Sequence, residues 1–331
     1  MQMSAGIKDV AQISGVSIAT VSHVINGTRF VSEETKQKVE DAMRELRYVP
    51  NSIARSLRTN KSRTVGLLVP DISNFYFTDI AESIESVLRE HGYNLLLCNT
   101  GENLSIEKKQ IAVMNSQLVS GMIIAPTDGT FDYRSLMAEA YFPMVMIDRR
   151  PSTLQSDTVT IDGCSAMSEA VEHLLEKKHK RIAYITGREG ISTTVDRLND
   201  FREALSTRGI EVDPSLIRYG DSSLRSGYPL MEQLLDETEA TAVVISNNMM
   251  TVSAMRCLID RHIDIPGGMA VIGFDDYNWA TITNPPLSMI RQPTSEIGIR
   301  AAELILERIE KQKGKYREYR LPARFILRES C

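Results

Sequence analysis

Apolar positions in the first fifty residues recur at helical spacing. Residues 7–14 form a short amphipathic segment with Val10 and Ala11 on its inner face. Gly15 follows, which suits a tight turn because glycine tolerates a positive φ, and Ser17 can cap a second helix. That second helix turns three apolar side chains inward, at Val21, Val24 and Ile25. The pattern predicts either a helix-turn-helix, whose second helix can enter the major groove of DNA, or a simple αα-corner.

The sequence predicts a third helix, which helps to choose between the helix-turn-helix and the αα-corner. Ser32 can cap it, and Glu33 and Glu34 stand in the first turn, where the helix dipole favours negative charge. One face of this helix is apolar, through Val39, Ala42, Met43 and Leu46. Three helices that share one small core favour the helix-turn-helix.

From Thr64 onward the pattern changes to short apolar runs separated by amphipathic stretches. The runs predict buried strands at residues 65–69, 95–98, 122–125 and 145–147. The stretches between them predict helices near residues 78–91, 106–116 and 133–140. This alternation is typical of a parallel sheet covered by helices.

The same rhythm then starts again. It predicts strands at residues 182–185, 242–245 and 270–273, with helices near residues 166–177, 195–208, 224–236 and 252–261. Two successive α/β sets predict two subdomains that face each other across a cleft. The chain is expected to cross between them near Ile161–Gly163, Ile290–Thr294 and Leu321–Phe325, so that a late helix at about 295–313 returns to the first subdomain.

Composition adds an uneven distribution of charge. The chain has 331 residues, which exceeds a usual single core, and 42% hydrophobic with 24% charged residues is ordinary for a soluble globular protein. The net charge is −5, but residues 1–63 hold ten basic against six acidic side chains, which leaves +4 there and −9 on the remainder. A cationic segment on an anionic body orients a molecule on nucleic acid, although a small excess of lysine is also found on ordinary surfaces.

Several classes of protein and site are disfavoured. The four cysteines are scattered without paired or metal-ligand spacing, so reduced thiols and no metal or other cofactor are expected. No signal sequence precedes the first helix, and no apolar run approaches the ~20 residues of a membrane span. We therefore expect a cytoplasmic protein without a membrane partner.

Polar side chains follow several of the predicted strands. Ligands of open α/β sheets bind beyond the carboxyl ends of the strands. The first predicted strand is followed there by the aromatic segment 71–77, and later ones by Asp148-Arg149, Asn247-Asn248 and Phe274-Asp275-Asp276, while Arg197 opens a helix. Each alone fits a capped or solvated loop, and the aromatic rings fit a core. Together they predict a polar cleft.

Five segments carry a resemblance to a known family. They are Ile7-Lys8-Asp9-Val10-Ala11, Val21-Ser22-His23-Val24-Ile25-Asn26, Thr28-Arg29-Phe30-Val31, Tyr48-x-Pro50-Asn51 and Ala54-Arg55-Ser56-Leu57. This set resembles the DNA-binding segment of the lactose/galactose repressor family, and within that family the purine repressors. The resemblance implies an all-α helix-turn-helix domain at residues 1–49, a hinge helix at 50–62, and a periplasmic-binding-protein-like α/β body of two Rossmann-like subdomains at 63–331. The first subdomain would span about 63–161 and 293–322, and the second about 162–292 and 323–331.

Candidate DNA contacts lie on the second helix and on the hinge. Side chains at the start of a recognition helix reach base edges, here Ile18, Ala19, Thr20 and His23, and of these His23 can donate to guanine N7 or O6. By resemblance, further contacts come from Ser17, Thr20, Ser22, Arg29, Asn51, Ala54, Arg55, Leu57 and Arg58. In the family the hinge helix folds when two copies meet in the minor groove, and Leu57 matches the leucine that wedges into the central base step. The implied site is a palindrome with CG at its centre.

Candidate effector contacts follow from the same resemblance. They are Tyr76, Phe77, Asp148, Arg149, Thr193, Arg197, Ser222, Asn247 and Asp275. The purine repressors have a tryptophan where Arg149 stands, an arginine where Ile191 stands and a phenylalanine where Ser222 stands. Losing two stacking rings and gaining a guanidinium favours a hydroxyl-rich sugar, or a sugar acid bound by Arg149 and Arg197, over a purine.

The resulting hypothesis is a homodimeric transcription repressor with double-stranded operator DNA and a small-molecule effector as partners, in the bacterial cytoplasm at the nucleoid. Closure of the cleft would decide whether two Leu57 wedges can pair. No leucine heptad follows Phe325, so a dimer rather than a tetramer is expected. The alternatives are a purine-responsive repressor of the same family, a solute-binding protein for transport, and an α/β enzyme. No G-x-S-x-G or phosphate-binding motif supports the enzyme.

Overall fold

The structure, a computed structural model, describes residues 6–26, 29–48, 62–133, 142–151, 156–311 and 314–331. The chain divides into two compact units, Met1–Ser62 and Arg63–Cys331. The first unit contains helices and the second contains two parallel-rich sheets with helices on their faces.

The first unit contains helices α1 (Ile7–Ser14), α2 (Ile18–Asn26) and α3 (Glu33–Glu45). Their shared core consists of Val10, Ala11, Val21, Val39 and Ala42, against which Val24, Ile25, Met43 and Leu46 pack. The core that the apolar spacing predicts is therefore confirmed. Ser32 caps α3 by accepting a hydrogen bond from the Thr35 amide, as predicted.

The second unit begins with a six-stranded sheet. Its strands and helices in chain order are β1 (Thr64–Val69), α4 (Phe75–Glu90), β2 (Asn94–Asn99), α5 (Leu104–Ser116), β3 (Gly121–Ile124), β4 (Met144–Ile147) and β5 (Asp157–Asp162). A late strand, β11 (Glu318–Pro322), completes this sheet in the order β11-β5-β4-β3-β1-β2, with all neighbours parallel. Parallel strands buried on both faces explain the continuous apolar runs.

The second sheet repeats this plan. It is built from α6 (Cys164–Glu176), β6 (Ile182–Thr186), α7 (Ser192–Ser206), β7 (Ile217–Tyr219), α8 (Leu224–Glu237), β8 (Ala242–Ile245), α9 (Asn248–Asp260), β9 (Ala270–Phe274), β10 (Ser288–Arg291) and β12 (Arg324–Ile326). Two 3₁₀ turns, Pro214–Leu216 and Asn278–Thr281, lie in its connections. The strand order is β12-β10-β9-β8-β6-β7, and only the β10–β12 pair within this sheet is antiparallel.

Helix α10 (Thr294–Glu310) returns to the first sheet, as predicted, and packs along α4. Gly298 permits this approach, because a Cβ there would lie 2.6 Å from the Ser83 Cβ and 2.7 Å from the Ile80 carbonyl oxygen. The chain passes between the two sheets at β5–α6, β10–α10 and β11–β12. These three passages form the base on which two lobes, one around each sheet, face each other.

The sequence pattern left five strands unpredicted, and the reason differs from one to another. The β5 strand carries Asp157, Thr158 and Thr160, so its burial is not visible in an apolar run. The strands β7 and β12 have three residues each, β10 has only two apolar residues between Ser288 and Arg291, and β11 lies at a sheet edge with alternating exposure. The predicted helix at 133–140 falls mostly outside the described residues.

Candidate functional site

The turn between α1 and α2 has the chemistry that its sequence predicts. Gly15 adopts a φ of 68°, in the left-handed region, and its N–H bonds the Ala11 carbonyl to end α1. The Ser17 hydroxyl accepts a hydrogen bond from the Thr20 amide at 3.1 Å and lies 2.9 Å from the Thr20 hydroxyl. The start of α2 is therefore fixed by its own sequence, which holds the side chains of its first turn in a defined direction.

The outer face of α2 carries the predicted DNA contacts. Ile18 is 43% exposed although it is a large apolar side chain, and Ser17 and Ala19 are also exposed. Thr20, Ser22 and His23 are partly buried. Arg29 is exposed beyond the helix. This face combines small apolar groups with hydroxyl and imidazole groups, which suits contact with thymine methyls, phosphates and base edges.

Phe30 is a residue of this unit that the sequence reasoning did not single out as a contact. Its side chain is 93% exposed, next to Arg29. A single exposed apolar side chain is common on protein surfaces, so its exposure alone does not mark a contact. The predicted hinge contacts Asn51, Ala54, Arg55, Leu57 and Arg58 lie outside the described residues.

A cavity lies between the two lobes of the second unit. All nine predicted effector residues line it: Tyr76, Phe77, Asp148, Arg149, Thr193, Arg197, Ser222, Asn247 and Asp275. They come from the carboxyl ends of β1, β4, β8 and β9 and from the loops and helix starts beside them. Its volume is about 100 Å³, well below the roughly 300–1,000 Å³ of pockets that hold drug-sized ligands.

Arg149 is paired within the cavity wall. Its two terminal nitrogens donate to the two carboxylate oxygens of Glu102, at 2.8 and 2.6 Å, and one of them also donates to the Pro126 carbonyl at 3.3 Å. Burial acts to lower the pKa of Arg149, but the Glu102 carboxylate outweighs it and the pKa is raised. The sequence predicts that this guanidinium binds a ligand, whereas in the structure its terminal nitrogens are already bonded to the Glu102 carboxylate.

Arg197 and Asp275 lie on the second lobe. The Arg197 guanidinium stacks 4.1 Å from the centre of the Phe274 ring and donates to the Ser246 carbonyl at 2.6 Å. Asp275 accepts a hydrogen bond from the Gln292 amide at 2.5 Å. Burial raises the pKa of Asp275, and the positive charge of Arg197 opposes that shift. Both side chains therefore have contacts within the second lobe that orient them in the cavity.

Backbone conformation is unusual at four residues of the cavity. Glu102, Asp148, Ser222 and Asp275 have φ values of 56°, 61°, 67° and 67°, in the left-handed region that non-glycine residues seldom adopt. Such strain collects at binding sites, where the surrounding fold holds a side chain in a required direction. The Asn247 side chain caps α9 through the Met250 amide and donates to the Ser222 carbonyl at 2.8 Å, which gives it a structural task as well.

Four buried polar atoms of cavity-lining residues lack a partner of normal hydrogen-bond geometry among the described residues: the Tyr76 hydroxyl, Arg149 Nε, Arg197 Nε and Gln292 Oε1. All four side chains are buried. Burial, together with the nearby charge of Asp148, raises the pKa of Tyr76, so its hydroxyl stays protonated. Buried polar groups in proteins are almost always paired, and these four offer a ligand both donors and an acceptor.

Asp71 and Asn74 lie in the predicted segment 71–77, whereas Glu102, Asp221 and Gln292 also line the cavity and were not predicted. Glu102 follows β2, and Gln292 follows β10. The rule that ligands bind beyond strand ends would have found Glu102, because β2 was predicted. It could not have found Gln292, because the four-residue β10 was not.

Polar contacts cross the cleft between the two lobes. Arg150 donates to both carboxylate oxygens of Asp196 at 2.7 and 3.0 Å. The Asn248 side-chain amide donates to Asn74 Oδ1 at 2.8 Å, and both residues are buried. An opening of the cleft would break these contacts.

Comparison with known proteins agrees with this arrangement. Residues 6–51 match the family model of bacterial regulatory proteins, lacI family, and residues 62–329 match the model of periplasmic binding proteins and the sugar binding domain of the LacI family. Over 328 residues the chain is 34% identical to the HTH-type transcriptional repressor PurR of Vibrio atlanticus (strain LGP32), and 98% of each chain is covered.

Two solved structures share the fold over nearly the whole chain. One is described as the transcriptional regulator CelR–cellobiose complex, with a TM-score of 0.76, 30% identity and coverage of 99% of this chain and 100% of that one. The other is the lac repressor dimer bound to operator and the anti-inducer ONPF, with a TM-score of 0.86, 27% identity and 98% coverage of both chains. None of the helices in the described part of the chain combines the length and hydrophobicity that a membrane span requires.

Proposed function

Because the chain belongs to the LacI family and is a DNA-binding transcriptional regulator, we propose that it is a repressor whose operator affinity is set by a neutral sugar. The proposed division is a reading domain at 1–49, a hinge at 50–62 and an effector-binding and dimerising body at 63–331. The first subdomain of the body would span about 63–161 and 293–322, and the second about 162–292 and 323–331. The protein would act as a homodimer in the cytoplasm at the nucleoid, without catalytic activity.

The observation that carries the effector class is the set of unpaired buried atoms on the cavity wall. The Tyr76 hydroxyl, Arg197 Nε and Gln292 Oε1 supply donors and an acceptor in one small space. Sugar hydroxyls both donate and accept, so one hydroxylated ring can complete all three. Carboxylates such as Asp148 and Asp275 accept further hydroxyl hydrogens, as charge-assisted hydrogen bonds.

A neutral sugar fits better than the two other effectors considered. A sugar acid would place its carboxylate in a wall that already carries five carboxylates, and Arg149, one of its two guanidinium groups, is paired with Glu102. A purine needs a ring to stack on, but the aromatic residues of the wall, Tyr76 and Phe77, are themselves part of the buried core. The small volume also favours a ligand of one ring over a larger one.

We infer that cleft closure couples the sugar to DNA. A ligand that bridges the lobes adds contacts to those of Arg150 with Asp196 and of Asn248 with Asn74, so it favours the closed form. In a dimer, rotation of the first lobes would change the spacing of the two hinge segments that precede them. The proposed DNA contacts are those on α2, together with Arg29 and the hinge residues up to Arg58, and Leu57 would act as the wedge at a central CG step.

The first unit argues against the alternative that this chain is a solute-binding protein for transport. Residues 6–51 match a regulatory DNA-binding family, and a transport protein has no use for such a segment. A purine-responsive repressor stays a second candidate, because a relative 34% identical over 328 residues carries the name of a purine repressor.

Two binding measurements on the full chain test the proposal. The first selects duplexes from a randomised library, and we expect an inverted repeat with a central CG. The second follows the melting temperature in a panel of hexoses, pentoses, uronic acids and purines, and we expect a rise with a neutral sugar. A rise with a purine alone would contradict the effector class while leaving the regulator intact. Equal binding to selected and scrambled duplexes would contradict the regulator itself.

A further inference from the structure

Glu102, which was not among the predicted effector residues, forms an ion pair with Arg149 in the cavity wall. Resting on the function proposed above, we propose that Glu102 sets the charge selectivity of the effector cavity. By matching the charge of Arg149 it lets neutral polyhydroxyl ligands bind and excludes ligands that carry a carboxylate.

Both terminal nitrogens of Arg149 are paired within the chain. They face the two Glu102 oxygens at 2.8 and 2.6 Å, and Pro126 takes a further hydrogen bond at 3.3 Å. The Arg149 Nε lies 3.4 Å from the Asp148 carboxylate without a hydrogen-bond partner among the described residues. The side chain is only 9% exposed. A ligand carboxylate would therefore have to displace Glu102 before it could form the two-pronged contact with the terminal nitrogens of the guanidinium.

The charges around the cavity act in the same direction. Five carboxylates line it, on Asp71, Glu102, Asp148, Asp221 and Asp275, against two guanidinium groups. An anionic ligand would meet a net negative wall once Arg149 is neutralised. Carboxylate oxygens accept hydrogen bonds from neutral hydroxyl groups, so the same wall binds a polyol.

Glu102 is held from both lobes, which keeps the pair in place. Arg149 belongs to the first lobe, and Arg188 of the second lobe donates to the Glu102 backbone carbonyl at 3.2 Å. The Glu102 carboxylate itself is 28% exposed. Since it stands in a turn at the cavity rim, an isosteric change there removes its charge without opening a hole in a core.

The test uses Glu102→Gln in the full-length chain with two matched ligand pairs, D-galactose with D-galacturonate and D-glucose with D-glucuronate. Within each pair the acid replaces one CH₂OH by a carboxylate. We expect the wild-type chain to bind both acids only weakly in calorimetry. Glu102→Gln should bind at least one of them about ten- to a hundredfold more tightly than the wild type does, because Arg149 gains a free face for a charge-assisted bond.

Two further variants make the effect specific. Adding Arg149→Met to Glu102→Gln should abolish the gain, because the cation has gone. Glu85→Gln removes a carboxylate from an exposed arginine pair, that with Arg89, and should change no affinity. If Glu102→Gln is too unstable for calorimetry, Glu102→Ala provides a second readout, because acetate can then occupy the lost carboxylate position. Acetate should raise its melting temperature by several degrees more than it raises that of Glu85→Gln.

Two results would overturn the role of Glu102. One is a wild-type chain that binds a uronate as tightly as Glu102→Gln does. The other is the absence of any gain for the two uronates in Glu102→Gln and for acetate in Glu102→Ala. Neither result touches operator recognition, which is measured separately, so failure of this inference and failure of the proposed function are distinguishable.

Discussion

A buried ion pair fixes the helix that returns to the first lobe, and its loss should destabilise the fold strongly. Asp157, at the start of β5, is fully buried and accepts hydrogen bonds from Arg308 Nε at 2.5 Å and Nη2 at 3.2 Å. It also accepts one from the Arg317 amide at 2.9 Å, just before β11. One carboxylate therefore joins α10, β5 and the approach to β11. The change to test is Asp157→Asn, which keeps the shape and removes the charge.

The magnitude follows from what the substitution leaves behind. Arg308 retains the carbonyl oxygens of Gly314 and Lys315 at 3.2 and 2.8 Å, but loses its anion while its side chain is 7% exposed. Removing one partner of a buried pair costs about 3–5 kcal/mol, because the remaining charge is uncompensated. For a body of this size that corresponds to a fall in melting temperature of roughly 10 °C.

Urea unfolding of the full-length chain, followed by far-ultraviolet circular dichroism, measures this loss. Glu85→Gln serves as the control, because it breaks an exposed pair with Arg89 that is worth at most about 1 kcal/mol. The double variant Asp157→Asn with Arg308→Met should recover much of the stability, since no unpaired charge remains. A cost below about 1 kcal/mol for Asp157→Asn alone would refute the reasoning.

Three other predictions address pH, DNA reading and the cleft. Burial, with the charge of Asp196 beside it, raises the pKa of Asp200 to about 6. The folded state therefore favours the protonated carboxyl, so the contribution of Asp200 to the free energy of unfolding is full at low pH and is lost as pH rises from about 4 through 6. Asp200→Asn should therefore stabilise the chain by about 1–2 kcal/mol at pH 7.5 and hardly at all near pH 4 in urea titrations, and an equal effect at both would contradict this. In competition binding, His23→Ala should relax discrimination at one or two base pairs by about 1–3 kcal/mol. Leu57→Ala should lower both the affinity for sites with a central CG step and the bend that gel mobility measures at them. An unchanged DNA bend would exclude Leu57 as the wedge. Arg150→Ala breaks a pair across the cleft with Asp196 and should raise the sugar concentration for the half-maximal change in operator affinity by up to about fivefold. An unchanged concentration would show that this pair does not contribute to closure.

The fold could be predicted from the sequence wherever one physical signal dominates. In the first unit, Gly15 at a positive φ and Ser17 as a cap leave little choice for the start of α2. In the second, buried parallel strands such as β1 and β8 appear as uninterrupted apolar runs. Where burial involves polar residues, as at Asp157 in β5, the same signal is absent and the strand was missed.

The cavity could be located from the sequence but its charge state could not. The strand ends and the family resemblance together predicted nine residues that all line the same cavity. Whether Arg149 is free depends on Glu102, which is 47 positions away and meets it only through the sheet order. A long-range pair of this kind leaves no periodic trace in a sequence. The interpretation of Arg149 as a ligand for a sugar acid was for that reason incomplete.

The most direct test of the account is one titration of the full-length chain on the inverted-repeat duplex recovered by selection, in the presence and absence of the sugar that raises its melting temperature. The account predicts two chains per duplex, strong preference over a scrambled duplex, and an affinity that the sugar changes at least about tenfold. A single chain on the duplex, or an affinity that no sugar alters, would contradict it.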